Sequence, residues 1–195
     1  FGITYKVLDV YTDKVYAMKE YAPNSLCRRA EDGYHIEPKS ADSVTSLEHG
    51  RKKFLEEADV LRRLDSIPGI VPVMDCLNQN NTSYFIMQYL EGKTLKEHLK
   101  EKSGRLGSGE TLAIIGNVAY ALNKVHELKG IFHRDVSPDN IFITTNNEVR
   151  VIDFGNAKNN LSVRNETASI ALKPGFAPPE QYSQRGVQGS FTDVY

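Results

Sequence analysis

The sequence predicts an α+β fold of two lobes, a small β-rich first lobe with one helix and a mainly helical second lobe. Two observations predict it. Residues 1–90 contain short runs of β-branched and aromatic residues and a single stretch of helical periodicity. Residues 91–195 open with two helical patterns and continue as short strands and loops. The change of pattern near 90–93 places the boundary, so we assign 1–90 to the first lobe and 91–195 to the second.

The bulk composition is that of an ordinary globular protein. With 195 residues, 40% hydrophobic and 25% charged, the chain is long enough for one substantial domain or two small lobes. A formal net charge of −1 argues against a general nucleic-acid binder, which is usually clearly basic. The chain has no apolar run of membrane-spanning length and opens with no secretory signal. We therefore expect a cytoplasmic location, no membrane contact from this segment, and free thiols at Cys27 and Cys76.

The first lobe begins with a predicted hairpin. The runs 3–10 and 14–21 are rich in β-forming residues, and Thr12-Asp13 supplies a turn between them. From about residue 22 to residue 50 the chain is polar and shows no sustained period. We predict that this stretch is a surface insertion.

A helix and a second pair of strands complete the first lobe. Helical spacing of apolar residues predicts a helix over 47–64, ended by Pro68-Gly69. The apolar residues that carry this spacing are Phe54, Ala58, Leu61 and Leu64. The runs 70–77 and 84–90 then predict two strands, separated by a polar turn at 78–81.

The second lobe begins with two predicted helices. Residues 94–100 form a short amphipathic pattern, and a longer one starts at Ser108 or Gly109. The apolar face predicted for the longer helix consists of Leu112, Ile115, Val118, Ala119, Leu122 and Val125. Short strands are predicted after it, at 131–132, 141–144 and 149–152.

A polar loop lies between two apolar stretches of the second lobe. It reads HRDVSPDN, His133 to Asn140, and Asp153-Phe154-Gly155 follows it directly after an apolar strand. An acid at the end of a buried strand, followed by glycine, is a natural metal-facing position. Asp153 and Asn140 would supply the hard oxygen ligands that Mg²⁺ prefers, and Asp135 is placed to take a proton from an incoming hydroxyl.

A lysine and a glutamate of the first lobe complete this pattern. Lys19 ends a predicted strand, and Glu57 lies on the predicted helix. A strand lysine held by a helical glutamate would present a fixed cation to phosphate oxygens. A single lysine on a strand is usually only solvated, and a single Asp-Phe-Gly is common by chance. Several such pieces in one order at compatible spacings indicate phosphate chemistry.

In this combination the chain resembles the protein kinase superfamily. The wording KEYAP, HRDVSPDN and PGFAPPEQY is most similar to bacterial serine/threonine kinases. The resemblance covers essentially the whole chain and implies a protein-kinase-like fold truncated at both ends. Phe1-Gly2 resembles the end of the glycine-rich phosphate loop, with Gly2 as its third glycine.

The resemblance implies ATP and Mg²⁺ as cofactors and a role for each motif residue. Asp135 is implied to be the catalytic base, and Asn140 and Asp153 the metal ligands. Lys19 is implied to contact the α- and β-phosphates with Glu57 as its partner. Residues implied to surround the nucleotide are Gly2, Ala17, Met87 as gatekeeper, Gln88 to Leu90 as the hinge, and Phe142.

Other motif residues are implied to organise the loops. His133 is expected to pack under Phe154, and Asp193 to hydrogen-bond the backbone of the catalytic loop. Arg134 resembles the arginine that receives a phosphorylated residue of the activation segment. The candidates for that residue, phosphorylated in trans by a second copy of the protein, are Ser162, Thr167 and Ser169.

Two positions depart from the family pattern. Most serine/threonine kinases have lysine two residues after the catalytic Asp and threonine five residues before Ala-Pro-Glu, where this chain has Ser137 and Lys173. The two residue types have exchanged places, which predicts a hydrogen bond from Lys173 Nζ to Ser137 Oγ of about 3 Å. The alternative is that both positions drifted and do not touch.

The function implied is Mg-ATP-dependent transfer of the γ-phosphoryl group to Ser/Thr hydroxyls of protein substrates. A pseudokinase or nucleotide-binding scaffold and a small-molecule kinase of related fold are the alternatives; the long segment 155–180 favours a protein substrate. The family has further helices after the position of Tyr195, and bacterial relatives often continue into a membrane segment and a sensor domain. We therefore expect the isolated chain to be inactive, the long helix to expose apolar surface, and Glu180 to lack its arginine partner.

Overall fold

A computed structural model describes the chain at residues 2–159, 172–183 and 186–195. The chain divides into two compact units, the first made of residues 1–62 and 72–90 and the second of 63–71 and 91–195. The sequence predicted a single boundary near residue 90. In the structure, residues 63–71 also group with the second unit. No helix within the described residues is long and apolar enough to span a membrane.

The first unit opens with the expected hairpin. Strand β1 (Ile3–Asp9) pairs antiparallel with β2 (Lys14–Glu20). The Asp9 carboxylate accepts hydrogen bonds from the Tyr11 amide at 2.9 Å and the Thr12 hydroxyl at 2.7 Å. Asp13 has a φ of 53°, a conformation that Asp tolerates better than most residues. Polar side chains thus close the turn between the strands.

The segment predicted as a surface insertion forms a short hairpin followed by the start of a helix. Strands β3 (Cys27–Arg29) and β4 (Ile36–Pro38) pair antiparallel. Buried Ala22, Cys27 and Ile36 form a small apolar cluster with Leu47. Each strand has only three residues, so no period could be read from the sequence, and contacts with distant residues hold the hairpin in place.

A buried ion pair joins the β3–β4 hairpin to the main sheet of the first unit. Arg29 reaches both carboxylate oxygens of Glu20, at 2.8 and 2.6 Å, and Glu20 is only 1% exposed. The hydroxyls of Tyr5 and Tyr84 donate to the same carboxylate at 2.7 and 2.8 Å. These hydrogen bonds outweigh the effect of burial and lower the pKa of Glu20.

A long helix and two further strands complete the first unit. Helix α1 (Ala41–Arg63) starts earlier than the sequence predicted. Strands β5 (Val73–Gln79) and β6 (Thr82–Gln88) are joined by Asn80-Asn81, both at positive φ, as a tight two-residue hairpin turn requires. The sheet has the strand order β1-β2-β6-β5 and is antiparallel throughout.

The second unit begins with strand β7 (Gly92–Thr94) and helix α2 (Leu95–Glu101). Thr94 caps this helix: its hydroxyl accepts from the Glu97 amide, and the Glu97 carboxylate accepts from the Thr94 amide. This reciprocal capping box fixes the start of the helix at the position expected from the sequence.

The long helix of the second unit buries only part of the apolar face predicted for it. Helix α3 (Ser108–Lys129) buries Ile114, Val118, Ala121, Leu122 and Val125. Leu112 and Ile115 of the predicted apolar face are 74% and 51% exposed. Apolar residues cover more than one side of this helix, so periodicity alone could not show which of them are buried. The partial exposure of the apolar face that the sequence predicted is observed at Leu112 and Ile115.

Short strands and turns form the rest of the second unit. Strand β9 (Ile141–Thr144) lies between β7 and β10 (Val149–Val151), and β8 (Ile131–Phe132) pairs with β11 (Lys158–Asn159). Two 3₁₀ turns follow, at Pro179–Tyr182 and Ser190–Asp193. The predicted strands at 131–132, 141–144 and 149–152 are confirmed within one residue.

Candidate active site

In the first unit, Lys19 and Glu57 form the predicted ion pair. Lys19 Nζ donates to Glu57 Oε1 at 2.8 Å, and the side chains are 18% and 8% exposed. Glu56 lies one position away on α1 and is 61% exposed. Adjacent helical residues point about 100° apart, which separates the buried glutamate from the solvated one.

Aromatic packing fixes the helix that carries Glu57. Phe54, one turn before Glu57, packs against Phe85 with ring centroids 4.8 Å apart and against Tyr21 at 5.7 Å. Gly50 allows this approach, because a Cβ there would lie 1.9 Å from the Tyr21 hydroxyl oxygen. Strand and helix are thus held at a separation that matches the reach of a lysine side chain.

Of the residues predicted to receive the adenine ring, Ala17, Met87, Gln88 and Phe142 lie on strands, and Leu90 follows β6. Ala17 is buried on β2 and pairs with Met87 on β6. The backbone N–H of Gln88 donates to the Pro72 carbonyl at 3.2 Å. Leu90 ends the first unit, and Phe142 lies on β9 of the second unit. Their contacts with a nucleotide remain predictions.

Gly2 precedes the first strand of the first unit. A Cβ at this position would lie 2.0 Å from the carbonyl oxygen of Glu20. A larger residue would therefore force the chain away from the end of β2. The phosphate contact implied for Gly2 remains a prediction, and Phe1 lies outside the described residues.

In the second unit, Asp193 holds the backbone of the catalytic loop as expected. Its carboxylate is buried and accepts hydrogen bonds from the backbone amides of His133 at 2.8 Å and Arg134 at 2.7 Å. His126 Nε2 lies 2.7 Å from the same carboxylate, a contact that the sequence did not suggest. The Gln181 side chain donates to the Arg134 carbonyl at 2.8 Å. Side chains from distant segments therefore satisfy the backbone N–H of His133 and both the N–H and the carbonyl of Arg134.

His133 packs on Phe154 as predicted. The two rings lie 4.6 Å apart, edge to face, and both side chains are buried. His133 Nε2 lies 3.1 Å from the Ile152 carbonyl oxygen. This histidine is therefore a structural link between the catalytic loop and the segment that carries Asp153.

Asp135 is half-buried among polar groups of the second unit. The side-chain NH₂ group of Asn140 donates to the backbone carbonyl of Asp135 at 2.9 Å. Asn156 Nδ2 lies 3.4 Å from the Asp135 carboxylate. Burial raises the pKa of the Asp135 carboxyl, Lys173 and Asn140 offset part of the rise, and the nearby charge of Asp153 adds to it. A carboxylate whose proton affinity is raised suits general-base work near neutral pH. The sequence did not single out Asn156.

Asn140 and Asp153 fit the predicted Mg²⁺ site by donor chemistry. The backbone N–H of Ile152 donates to the Asn140 carbonyl at 2.9 Å, which joins the two segments. The Asn140 amide nitrogen is used on Asp135, so the amide oxygen is the atom of that group suited to a metal. Among the described residues, no group of three or more His, Cys, Asp or Glu is placed to hold a metal. Two protein oxygens completed by phosphate and water is the usual arrangement for Mg²⁺.

Arg134 is buried and incompletely satisfied. It is 8% exposed, and its Nε has no hydrogen-bond partner among the described residues. Burial lowers the pKa of its guanidinium, and the charge of Asp193 offsets part of that effect. The phosphosite candidates Ser162, Thr167 and Ser169 all lie outside the described residues.

The predicted contact between Lys173 and Ser137 is confirmed. Lys173 Nζ donates to Ser137 Oγ at 2.9 Å and also forms an ion pair with Asp139. Lys96 of α2 pairs with the other oxygen of Asp139 at 2.8 Å. Sequence reasoning missed Asp139 and Lys96, because their roles appear only when three separate segments come together.

Glu180 joins two turns of the second unit. It accepts a hydrogen bond from the Thr192 hydroxyl at 3.0 Å. This bond ties the Pro179–Tyr182 turn to the Ser190–Asp193 turn. Glu180 therefore supports the segment that presents Asp193 to the catalytic loop.

The whole chain is similar to proteins of one family. A family model described as protein kinase domain matches residues 1–195. The probable serine/threonine-protein kinase CPE1738 of Clostridium perfringens is 38% identical over 153 residues, which cover 78% of this chain and 21% of the relative. Serine/threonine-protein kinase PknA of Nostoc is 35% identical over 153 residues, covering 74% of this chain and 26% of the relative. The chain thus matches only about a quarter of the length of these curated relatives.

A solved structure shows the same fold. The structure described as PpkA-294 apo form matches with a TM-score of 0.86 at 33% identity, covering 100% of this chain and 67% of that chain. This likeness confirms the predicted fold class.

Proposed function

This chain belongs to the protein kinase domain family, and from that premise we propose that it carries out Mg-ATP-dependent phosphorylation of serine and threonine hydroxyls in protein substrates. In this reaction the hydroxyl oxygen of the substrate forms a bond to the γ-phosphorus of ATP. The bond between that phosphorus and the β–γ bridging oxygen breaks, and ADP leaves. The hydroxyl proton passes to the carboxylate of Asp135.

The observation that carries this proposal is the environment of Asp135. The backbone of the loop before it is held by Asp193, its own carbonyl accepts from Asn140, and its carboxylate has a raised pKa. A positioned base of this kind typically contributes roughly 10²- to 10⁴-fold to the rate. Asp135 orients the substrate hydroxyl and accepts its proton late in the transfer.

Charge neutralisation is the larger task of such a site. ATP brings about four negative charges, and phosphoryl transfer depends mainly on positioning and electrostatic stabilisation. Lys19, fixed by Glu57, supplies one cation for the α- and β-phosphates. Asn140 and Asp153 would hold Mg²⁺, which when bound supplies further positive charge to the phosphate oxygens.

Arg134 supports a regulatory role within the same proposal. A buried guanidinium with an unsatisfied Nε is suited to a phosphate group, whose oxygens are strong acceptors. Autophosphorylation in trans at Ser162, Thr167 or Ser169 would supply that group. Mass spectrometry of the intact protein after incubation with Mg-ATP would locate the modified residue.

A phosphotransfer assay tests the proposal. The intact protein should transfer phosphate from Mg-ATP to a generic protein substrate, and not to small alcohols or aminoglycosides. Asp135→Asn should abolish transfer and leave nucleotide affinity largely unchanged, because the amide cannot accept the proton. Binding of Mg-ATP without transfer would refute the proposal in favour of a nucleotide-binding scaffold. Transfer to the small molecules alone would refute the protein substrate.

A further inference from the structure

The catalytic loop contains no lysine. In HRDVSPDN the one arginine, Arg134, is buried, and the two acids, Asp135 and Asp139, are followed by Asp153 on the next segment. Phosphoryl transfer concentrates negative charge on the transferring group, so each nearby cation matters. An ammonium group for this loop must therefore come from elsewhere in the chain.

Lys173 brings an ammonium group to the loop from the segment before Pro178. Its Nζ donates to Ser137 Oγ at 2.9 Å and pairs with Asp139. Ser137 is 2% exposed, so its hydroxyl depends on protein partners and not on bulk water. The lysine is itself only 31% exposed at its side chain. The contact therefore differs from the solvated surface ion pairs that contribute little.

Backbone hydrogen bonds fix both sides of this contact. The amides of Phe176 and Ala177 donate to the Lys173 carbonyl at 3.0 and 2.9 Å, which closes a tight turn around Gly175 at a φ of 85°. On the other side, the backbone N–H of Asn140 donates to the Ser137 carbonyl at 2.9 Å. The lysine thus acts on the short turn that sets the position of Asn140.

Asp139 holds the ammonium group in place from the opposite side. One of its oxygens pairs with Lys173 and the other with Lys96 at 2.8 Å, and the Lys96 amide donates to the Pro138 carbonyl at 3.0 Å. The Lys96 side chain is 68% exposed, so Lys173 is the inner of the two partners. Three segments of the second unit therefore converge on one carboxylate.

We propose that Lys173 is a positioning residue for phosphoryl transfer, which supplies the ammonium group that the catalytic loop's own sequence lacks and holds Ser137 and Asn140 in their reactive arrangement. This inference rests on the proposed function.

Three variants of the intact protein test this role in a steady-state kinase assay. Lys173→Met should lower kcat by about 100-fold, the effect expected for loss of one preorganised donor, while KM for ATP changes less than about 3-fold. Lys173→Arg keeps the charge and should retain more than about a tenth of wild-type kcat. Lys93→Met is the matched control, because Lys93 forms an exposed ion pair with Glu101 in the same unit, and its kcat should equal that of wild type.

The exchange of the two residues separates positioning from simple loss of structure. Lys173→Ser alone should be as slow as Lys173→Met, and adding Ser137→Lys should recover at least about 10-fold in kcat, because contacting residues couple in double-mutant cycles. Lys173→Met should also bind Mg-ATP with wild-type affinity, which shows that the variant is folded.

The outcomes distinguish the role of Lys173 from the proposed function of the protein. A Lys173→Met enzyme with kcat within about 3-fold of wild type, or an exchange variant no faster than Lys173→Ser, overturns this inference and leaves the proposed function intact. A wild-type protein that transfers no phosphate overturns the proposed function and the role of Lys173 together.

Discussion

Replacing Asp193 by alanine should release the backbone of the catalytic loop, although Asp193 itself lies outside that loop. The Asp193 side chain is fully buried and accepts from two backbone amides, those of His133 and Arg134, at 2.8 and 2.7 Å. Alanine would leave both buried N–H groups without an acceptor. An unsatisfied buried donor costs about 1–3 kcal/mol, so for two donors we expect a loss of about 2–6 kcal/mol in the free energy of unfolding. His126, 2.7 Å from the same carboxylate, loses its partner as well.

Two measurements on the intact protein check this magnitude. Urea unfolding gives the free energy of unfolding, and a phosphotransfer assay gives kcat. Asp193→Asn is the matched comparison, because its single carbonyl oxygen satisfies one amide while its NH₂ group faces the other donor. It should lose about half as much stability as Asp193→Ala and should also lower kcat. A loss below about 1 kcal/mol for alanine with unchanged kcat would show that Asp193 does not hold the loop.

Two further predictions concern the first unit. Hydrogen bonds lower the pKa of Glu20, so its contribution to stability is complete above the ordinary value of 4.5 and is lost as the pH falls below it. Glu20→Gln, which breaks the pair with Arg29, should cost about 3–5 kcal/mol of unfolding free energy at pH 7 and flatten the stability profile in acid. Unfolding midpoints measured from pH 3 to 7 that parallel those of wild type would contradict this. Gly50→Ala should destabilise by about 1–2 kcal/mol, because its Cβ would meet Tyr21, whereas Gly116→Ala on α3, with open space around it, should stabilise by about 1 kcal/mol. Thermal unfolding that gives both alanine variants the same sign would refute the packing argument.

The parts of the site that could be predicted are those in which each residue belongs to a recognisable local pattern. Asp193 and the pair of Lys19 with Glu57 lie in motifs whose order along the chain implies their contacts. The contact of Lys173 with Ser137 could also be predicted, because two residue types had exchanged places relative to a known pattern. The lysine donor and the hydroxyl acceptor exchange positions in the sequence, and a hydrogen bond between the two positions is present.

The parts that could not be predicted depend on contacts between residues distant in the sequence. The β3–β4 hairpin has strands of three residues and is fixed by Arg29 on Glu20 and by the Ile36 amide on the Asn80 carbonyl. Neither contact leaves a period in the sequence. The buried residues of α3 depend on such contacts too, because the strands packed against the helix determine which of its apolar residues are covered. Asp139 was missed because its two lysines come from segments 77 positions apart, at 96 and 173.

Two consecutive residues at the end of β2 form ion pairs on opposite faces of the sheet. Lys19 is bound to α1 through Glu57, and Glu20 is bound to the β3–β4 hairpin through Arg29. Because neighbouring strand residues face opposite sides, slippage of β2 by one residue would turn the lysine toward the arginine and the glutamate toward another glutamate. Both like-charge contacts would be unfavourable. The two ion pairs together therefore favour one register of this strand over the registers shifted by one residue.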